Sequence, residues 1–407
     1  MTAAATLPPL PAGVLRQAVT DEAAIASNVA ALRGVLDVRH LMVVVKADGY
    51  GHGLVPAARA ALTGGADWLG VADVDEALTL RSAGVMAPVL AWLHGPGSDF
   101  PAAAAAGIDL ALSSLAQLDA AAKAARAAAG GRAGVQLALD TGLNRNGAPR
   151  EAWAALFRRA AELEAAGLVR VRGILSHVSN TSEADDLAQL ALFREAVGRA
   201  RGVGLRPELL HLAATAAALT LPPTRLTMVR IGIAAYGLTP FEAGFDDLGA
   251  STAGGGPPGA GTDDPFTRLG LTPALTLRAP VVAVRRVAAG EGVSYGYTYR
   301  TAGPTSLALI PLGYADGIPR SASNRGVVTV GGVRYPQVGR IAMDQFIIEA
   351  GGRDPAVRVG DEAIVFGDPA RGAVGVGEWA RAAGTIGYEI VTRLGRRVGR
   401  TSVGGAA

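Results

Sequence analysis

The sequence predicts an α/β protein with an N-terminal (β/α)8 barrel of the TIM type, followed by a mostly β C-terminal domain. Between residues 40 and about 236, eight short apolar runs alternate with segments that carry helix signals, and this alternation is the pattern of a (β/α)8 barrel. Beyond residue 266 the apolar runs are β-branched and separated by Gly, Pro and Asp turns, as in antiparallel sheets. A doubly wound sheet is the alternative for the first part, since the count of eight depends on reading two short runs as strands.

The predicted elements follow one another in a regular order. A first helix has Thr20 or Asp21 as its N-cap, and Gly84 and Gly130 each end a later helix. The eight runs are 41–46, 68–72, 88–93, 108–113, 134–140, 171–177, 208–212 and 227–231. We therefore predict a barrel domain over residues 1–241, a Gly/Pro-rich mobile linker or loop over 242–266, and a mostly β domain over 267–407 with a helix near 377–383.

Composition excludes several classes of function. The chain of 407 residues has a formal net charge of +3 and no run of clustered basic residues, so nucleic acid is not a predicted partner. Without Cys it cannot form a disulfide, a thiolate nucleophile or an iron–sulfur cluster. The five histidines show no metal-ligand spacing. The start has no signal-peptide pattern and the Ala-rich stretches carry charges, which predicts a cytoplasmic protein with no membrane span.

Lysine is scarce, because Lys46 and Lys123 are the only two among 38 basic residues. Lys123 falls on an Ala-rich helical segment and has no evident role. Lys46 ends the first apolar run, directly before the glycine-rich segment 47–53. A lysine whose stem lies in an apolar strand mouth should have a lowered pKa and be able to form an imine with a carbonyl compound. The simpler interpretation is a strand-end lysine that reaches water.

Other strand ends also carry polar groups. The segment 140–147 follows the fifth run, His177 ends the sixth, Thr215 opens a helix after the seventh, and Arg230 lies at the end of the eighth. In barrels of this class the active site lies at the C-terminal ends of the strands, and the loops after strands 7 and 8 often hold a phosphate. We therefore predict an active site there, although His177 alone could be a structural histidine. In the second domain, segment 293–299 has three tyrosines, which cross-strand pairing would also explain.

The segment Val45–Gly53 (VKADGYGHG) resembles the pyridoxal-phosphate lysine motif of bacterial alanine racemases. The likeness extends over nearly the whole chain, in the family's order. The matching segments are 140–147, 175–177, 211–217, 229–237, 293–299, 313–320, 340–346 and 387–390. The resemblance implies a pyridoxal 5′-phosphate (PLP) enzyme that interconverts L- and D-alanine and supplies D-alanine for peptidoglycan. It also implies a head-to-tail homodimer whose active sites take residues from both subunits.

The same resemblance implies a role for each matching residue. Lys46 would hold the cofactor and act as one base, and Tyr295 from the other subunit would act on the opposite face, since inversion needs a base on each side. Arg230 would face the pyridine nitrogen and keep it largely unprotonated, with His177 linking it to Tyr295. Further cofactor contacts are implied at Tyr50, Arg145, Thr215, Gly232, Ile233 and Tyr388. Substrate contacts are implied at Arg145, Met343 and Asp344, with Tyr314 at the entrance.

Two positions depart from the family pattern. Ala138 stands where many members have a carbamylated lysine, seven residues before Arg145, so that arginine lacks its usual anionic support. We hypothesise that a chloride or a water, held with Asn144, takes that place. At Ala213 and Ala214 the family more often has Asn-Ser, which leaves one polar contact in doubt.

Three alternative functions stay open at this point. A racemase of broader or serine preference has the same fold, because side-chain specificity depends on pocket volume. A barrel-type PLP decarboxylase would need a cysteine in the second domain, and the chain has none. A non-catalytic PLP carrier resembles the barrel but lacks the β domain.

Overall fold

The computed structural model describes residues 7–127, 132–241, 268–352 and 355–405. Eight parallel strands close into a barrel, and each of the eight predicted runs forms one of them. These strands are β2 His40–Val44, β3 Trp68–Val71, β4 Val89–Ala91, β5 Asp109–Leu112, β6 Ala133–Ala138, β7 Val169–Leu175, β8 Leu209–His211 and β9 Met228–Ile231. The barrel is thus confirmed, and the doubly wound alternative is wrong.

The first helix begins where its predicted capping residue lies, and the helix predicted to end at Gly84 ends just before it, whereas Gly130 lies outside the described residues. Asp21 caps the first helix, since its Oδ1 accepts a hydrogen bond from the backbone N–H of Ala24 at 3.0 Å. The helices are α1 Glu22–Leu36, α2 Lys46–Tyr50, α3 Leu54–Thr63, α4 Val74–Ser82, α5 Phe100–Ala105, α6 Leu115–Ala127, α7 Trp153–Ala165, α8 Glu183–Gly202, α9 Thr215–Thr220, α10 Val376–Ala383 and α11 Gly387–Thr392. Of these, α10 is the helix predicted near 377–383.

A second, nine-stranded sheet forms the C-terminal half in the order β11-β14-β17-β16-β15-β18-β10-β1-β19. Its strands are β1 Gln17–Asp21, β10 Leu275–Pro280, β11 Ala283–Val287, β14 Thr305–Ile310, β15 Val327–Val330, β16 Val333–Val338, β17 Phe346–Glu349, β18 Glu362–Phe366 and β19 Gly399–Val403. A separate short pair consists of β12 Gly292–Val293 and β13 Tyr299–Arg300. The mostly β C-terminal domain is therefore confirmed.

One strand of this sheet comes from the N-terminus. β1 pairs antiparallel with β10 and parallel with β19, so the segment 17–21, which the sequence analysis assigned to the barrel domain 1–241, lies in the other sheet. The predicted linker 242–266 lies outside the described residues. Among the described residues, no helix is both long enough and apolar enough to span a bilayer.

The barrel interior is filled by side chains, with one apolar residue from each strand. This inner cluster consists of Met42, Trp68, Leu90, Ala111, Ala138, Leu175, Leu209 and Met228. In β6, the alternate residues Val135 and Leu137 belong to the larger core beneath the helices, as the two-residue period of a strand requires. Side chains therefore fill the barrel interior, and the C-terminal ends of the strands are the place where barrels of this class bind their ligands.

Candidate active site

A cavity of about 750 Å³ opens at the C-terminal ends of the barrel strands. That volume suits a cofactor together with a small substrate. Nine predicted site residues line it, namely Lys46, Tyr50, Arg145, His177, Thr215, Arg230, Gly232, Ile233 and Tyr388. The structure thus brings together residues that follow five different barrel strands, and adds Tyr388 from the C-terminal domain.

The backbone after β2 makes a left-handed turn. The φ angles are +54° at Ala47, +54° at Asp48 and +61° at Gly49, and each non-glycine residue in this conformation costs roughly 1–2 kcal/mol. Two side chains, one from α4 and one from just after the turn, hold it in place. Glu76 Oε1 accepts a hydrogen bond from Ala47 N at 2.6 Å, and the His52 imidazole Nδ1 lies 3.1 Å from the carbonyl oxygen of Gly49. The turn therefore fixes the backbone that carries Lys46.

Lys46 is half-buried at the start of this turn. Its Nζ lies 5.7 Å from the ring centroid of Trp92. Burial lowers the pKa of Lys46, and the positive charges of Arg145 and Arg230 lower it further, against the opposing effect of Glu76. A lower pKa raises the fraction of neutral amine, which is the nucleophilic form.

Arg230 is held by both terminal nitrogens of its guanidinium. Nη1 donates to His211 Nδ1 at 3.0 Å, and Nη2 donates to His177 Nδ1 at 3.0 Å and to the Ser176 carbonyl oxygen at 2.7 Å. Its Nε–H has no acceptor among the described residues. Burial lowers the pKa of Arg230 to about 10, with Arg145 adding to the shift, so the guanidinium stays charged at neutral pH.

His177 is a neutral imidazole of defined tautomer. Because Arg230 can only donate, His177 Nδ1 accepts, and the ring proton resides on Nε2. Burial lowers the pKa of His177 to about 3, helped by the charges of Arg230, Arg145 and Lys46. His177 therefore offers an Nε2–H donor to whatever group enters the cavity.

The far end of the cavity forms a cradle of small groups. Thr215 Oγ1 accepts a hydrogen bond from Gly232 N at 3.1 Å. The Tyr50 hydroxyl lies so close to Gly232 that a Cβ atom there would be 2.5 Å away. The Tyr50 ring stacks on Tyr236 with centroids 4.9 Å apart, and the Tyr236 hydroxyl donates to the Val44 carbonyl oxygen. Hydroxyl and backbone N–H groups converge here, as an oxyanion would require.

Four predicted site residues do not line this cavity, namely Tyr295, Tyr314, Met343 and Asp344. They belong to the C-terminal domain and are exposed, Tyr295 by 74% and Met343 by 53%. Tyr314 and Met343 are on neighbouring loops, since Tyr314 N donates to the Ala342 carbonyl oxygen at 3.0 Å. We call these four residues the outer cluster. One chain by itself does not bring the outer cluster to Lys46.

Arg145 and Ala138 both line the cavity. No carboxylate of the described residues lies within ion-pair distance of Arg145. The loop that carries it is ordered by Asp140, whose Oδ1 accepts hydrogen bonds from the backbone N–H groups of Gly142 and Asn144 at 2.9 and 3.1 Å. Within the part of the chain that the structure describes, Arg145 thus has no anionic partner.

Sequence reasoning missed three residues around the site. Glu76 and Trp92 contact the Lys46 turn and side chain, and His211 holds Arg230. His211 lies in a segment that matches the family pattern, which is a signal that could have found it. Glu76 lies within a helix and Trp92 within the apolar run 88–93, where their neighbours in sequence give no indication of a role.

The lowered pKa values of the histidines predict that the free energy of unfolding decreases as the pH falls. Burial lowers the pKa of all five, His52 to about 4 and His177 to about 3. The unfolded chain therefore binds more protons below its histidine pKa of about 6.5. For His52 and His177 this contribution to stability is fully present above that pH and decreases by about 1.4 kcal/mol per pH unit below it, until the pH reaches the folded-state pKa.

We expect the denaturant midpoint to fall between pH 7.5 and pH 5.5, and His52→Asn to make that fall shallower. The raised pKa values of Asp109 and Asp186 act in the opposite direction, but only where those carboxyl groups titrate. A midpoint that is constant or rises toward pH 5.5 would contradict the assignment of neutral histidines.

Gly51 and Gly84 form a matched pair for testing the turn. Both have φ of +80°, but a Cβ atom at Gly51 would lie 2.1 Å from the Val391 carbonyl oxygen, whereas nothing lies within 4 Å at Gly84. We expect Gly84→Ala to cost about 1 kcal/mol of unfolding free energy for the backbone alone. Gly51→Ala should cost about 1–3 kcal/mol more because of the clash, and should weaken ligand binding at Lys46. Equal losses in thermal unfolding would show that the contact with α11 is unimportant.

Comparison with known proteins agrees with this geometry. Family models described as the N-terminal and C-terminal domains of alanine racemase match residues 20–240 and 274–402. The alanine racemase of Salinispora arenicola is 47% identical over 91% of this chain and 94% of its own length. That of Thermobifida fusca is 46% identical, over 95% and 98%.

Solved structures give the same result. The crystal structure of alanine racemase from D-cycloserine producing Streptomyces lavendulae superposes with a TM-score of 0.88 at 43% identity, covering 98% of this chain and 99% of that one. Alanine racemase from Streptomyces coelicolor A3(2) gives a TM-score of 0.87 at 43% identity, covering 96% and 98%.

Proposed function

The chain belongs to the alanine racemase family, and from that premise we propose that it interconverts L- and D-alanine with PLP by a two-base mechanism. The observation that carries the proposal is the arrangement of one cavity. This cavity contains the Lys46 amine, whose pKa is lowered, and the charged Arg230 guanidinium, whose two terminal nitrogens are both hydrogen-bonded. It also contains a cradle of hydroxyl and N–H groups at Thr215 and Gly232.

These residues fit PLP at three points. Lys46 would hold the cofactor covalently, the cradle with Tyr50 and Thr215 would bind its phosphate, and the unpartnered Nε–H of Arg230 would face the pyridine nitrogen. When bound, PLP supplies an electron sink that makes the Cα–H of the amino acid acidic. Because Arg230 keeps its own proton, the ring nitrogen would stay unprotonated, which weakens the sink and restrains side reactions.

The protein's own task is to move a proton at Cα from one face to the other. Lys46 would remove or return the proton on one face. A single base returns the proton to the side it left, so inversion needs a second base opposite. We assign that role to Tyr295 of the partner subunit, whose phenol oxygen would accept a hydrogen bond from His177 Nε2–H and be stabilised as a phenolate.

The position of the outer cluster supports a homodimer. Tyr295 is exposed and does not line the cavity of its own chain, so the proposed reaction requires a second copy that brings the outer cluster to the first copy's Lys46. In that arrangement Met343, Asp344 and Tyr314 would complete the substrate end and the entrance. A closed two-fold dimer places two such shared sites in each assembly.

We propose that a chloride, held with Asn144, supports Arg145 in place of the missing anion. The chloride would balance part of the positive charge of Arg145 and hold its guanidinium in place while Arg145 binds the substrate carboxylate. Crystals grown with bromide should give an anomalous difference peak between Arg145 and Ala138. A halide-free structure with Arg145 undisplaced and no density at that place would contradict the proposal.

The test of function is incubation of the PLP-loaded protein with L-alanine in heavy water. D-alanine carrying deuterium at Cα is the expected product. Deuteration without inversion would support the role of Lys46 as a base and would contradict the role assigned to Tyr295. A parallel reaction with L-serine decides between an alanine racemase and a broader racemase of the same fold.

We further propose that the D-alanine supplies peptidoglycan synthesis, a role that would place the protein in the cytoplasm. Deleting the gene in its host should then make growth dependent on added D-alanine. Growth without it would show another source of D-alanine or a different role.

A further inference from the structure

A continuous chain of buried hydrogen bonds runs from Arg230 through the barrel interior. His211 Nδ1 lies 3.0 Å from Arg230 Nη1, and His211 Nε2 lies 2.7 Å from Gln136 Oε1. Gln136 Nε2 donates to Asp109 Oδ2 at 2.9 Å, and Arg172 Nη1 donates to Asp109 Oδ1 at 3.2 Å. His211 and Gln136 are fully buried and Asp109 is 3% exposed. The chain thus joins the cavity to the N-terminal ends of the strands, where Asp109 begins β5.

The chemistry of its two ends fixes the direction of every hydrogen bond. Arg230 only donates, so His211 Nδ1 accepts and the proton of the neutral ring resides on Nε2. An ionised Asp109 only accepts, so the NH2 group of Gln136 faces it and the amide oxygen faces His211. Burial raises the pKa of Asp109, and its ion pair with Arg172 opposes that shift. With the carboxylate ionised, the amide and the imidazole have one orientation each.

The neighbouring strands make room for this chain. A Cβ atom at Gly134 would lie 2.3 Å from Asp109 Oδ1, and one at Gly173 would lie 2.7 Å from Gln136 Oε1. Real Cβ atoms do not approach oxygen so closely, so any other residue at these two positions would displace the chain. The buried hydrogen bonds therefore depend on glycine in β6 and β7.

We propose that Asp109 and Gln136 are positioning residues for Arg230. The carboxylate of Asp109 orients the Gln136 amide, the amide selects the Nε2–H tautomer of His211, and that tautomer presents a lone pair to Arg230. The guanidinium is thereby held with its Nε–H free. The inference rests on the proposed function only in placing Arg230 against the pyridine nitrogen of PLP.

Asp109→Asn is the most informative variant. Asparagine keeps the shape of the side chain, but its amide can donate as well as accept, so it no longer fixes the direction of the hydrogen bonds. If the new amide oxygen faces Arg172, its NH2 group faces Gln136, and the Gln136 amide must turn its own NH2 group toward His211. If instead the new NH2 group faces Arg172, two donors oppose each other. The first orientation no longer selects the Nε2–H tautomer of His211, whereas the second keeps that selection but sets the amide NH2 group against the Arg172 guanidinium, which makes it the less favourable of the two.

The primary measurement is 15N NMR of protein labelled at histidine rings, made without PLP, with the His211 signals assigned by their loss in His211→Gln. We expect wild-type His211 to be the Nε2–H tautomer and Asp109→Asn to give the Nδ1–H tautomer or a mixture. With PLP, the same variant should lose up to about 100-fold in kcat from misplacement of Arg230. Asp67→Asn is the control, since Asp67 also pairs with an arginine, Arg33, just before a barrel strand, without contacting this chain of hydrogen bonds. It should leave the His211 signals and kcat unchanged.

Gln136→Glu provides a second test if Asp109→Asn does not fold. Its carboxyl group still accepts from His211, but its other oxygen opposes Asp109, so one proton must be shared between them. The pH profile of kcat should then gain an ionisation that wild type lacks, with activity higher at low pH. A wild-type His211 with its proton on Nδ1, or an Asp109→Asn protein with unchanged tautomer and kcat, overturns the inference. A wild-type protein that shows the Nε2–H tautomer but no racemisation would count against the proposed function alone.

Discussion

Replacing Lys46 by alanine is expected to reduce alanine racemisation by more than about 1,000-fold, because one residue both attaches the cofactor and acts as a base. The cavity has no substitute for it, since the chain's only other lysine is Lys123. Lys123 lies on α6, outside the residues that line the cavity. The measurement is the rate of D-alanine formation in the presence of saturating PLP, with circular dichroism to show that the variant is folded.

Lys123→Ala is the matched control and should retain full activity. Borohydride reduction of the PLP-loaded wild type should fix the cofactor to a single peptide that contains Lys46. The same treatment should leave Lys46→Ala without label. A label on Lys123, or an active Lys46→Ala protein, would show that the cavity is not the site of the chemistry.

The barrel could be predicted from the sequence because each of its strands is marked by a local pattern of apolar residues. Every strand from β2 to β9 overlaps an apolar run, and polar residues at the ends of several of these runs, such as His177 and Arg230, line the cavity. The C-terminal ends of eight parallel strands meet at one rim, so residues far apart in sequence could be assigned to one site without knowing any contact.

The strand β1 could not be predicted for the opposite reason. Its sequence is QAVTD, and all five residues are buried, yet three of them are polar and give no apolar pattern. Their partners lie far along the chain. Gln17 Oε1 accepts from Arg278 Nη2 at 2.6 Å, and Thr20 Oγ1 donates to the His52 carbonyl oxygen at 2.7 Å. Burial of such residues becomes favourable only with those partners in place.

The residues behind Arg230 were missed for a related reason. Gln136 lies within an apolar run, and sequence alone gives no sign that it faces His211 across the barrel. For the outer cluster the sequence motif indicates a role, but in a single chain these residues do not line the cavity. Tyr295 matches the family pattern, but its position relative to Lys46 depends on a second copy.

Tyr295→Phe is expected to lower racemisation by about 100-fold to 10,000-fold, the usual contribution of a general base, while PLP binding and its absorbance persist. Removal of one hydroxyl from an exposed side chain leaves the cavity of the same chain intact. In heavy water, the variant should still exchange the Cα proton of the enantiomer that Lys46 serves, and should leave the other enantiomer undeuterated. Tyr297→Phe is the control, because Tyr297 is also exposed, by 60%, and has no assigned role. Its activity should match wild type.

Mixing the two inactive variants tests whether the site is shared between subunits. In a mixed dimer of Lys46→Ala and Tyr295→Phe, one site carries both substitutions, and the other combines an intact Lys46 with an intact Tyr295 from the partner subunit. After subunits have exchanged at equal amounts, half of the dimers are mixed and each has one intact site, so about a quarter of wild-type activity should return. If Tyr295 instead served the cavity of its own chain, every site would lack one base and no activity would return. Recovery therefore shows sharing between subunits, which neither single variant can show, because loss of activity in each is compatible with either arrangement.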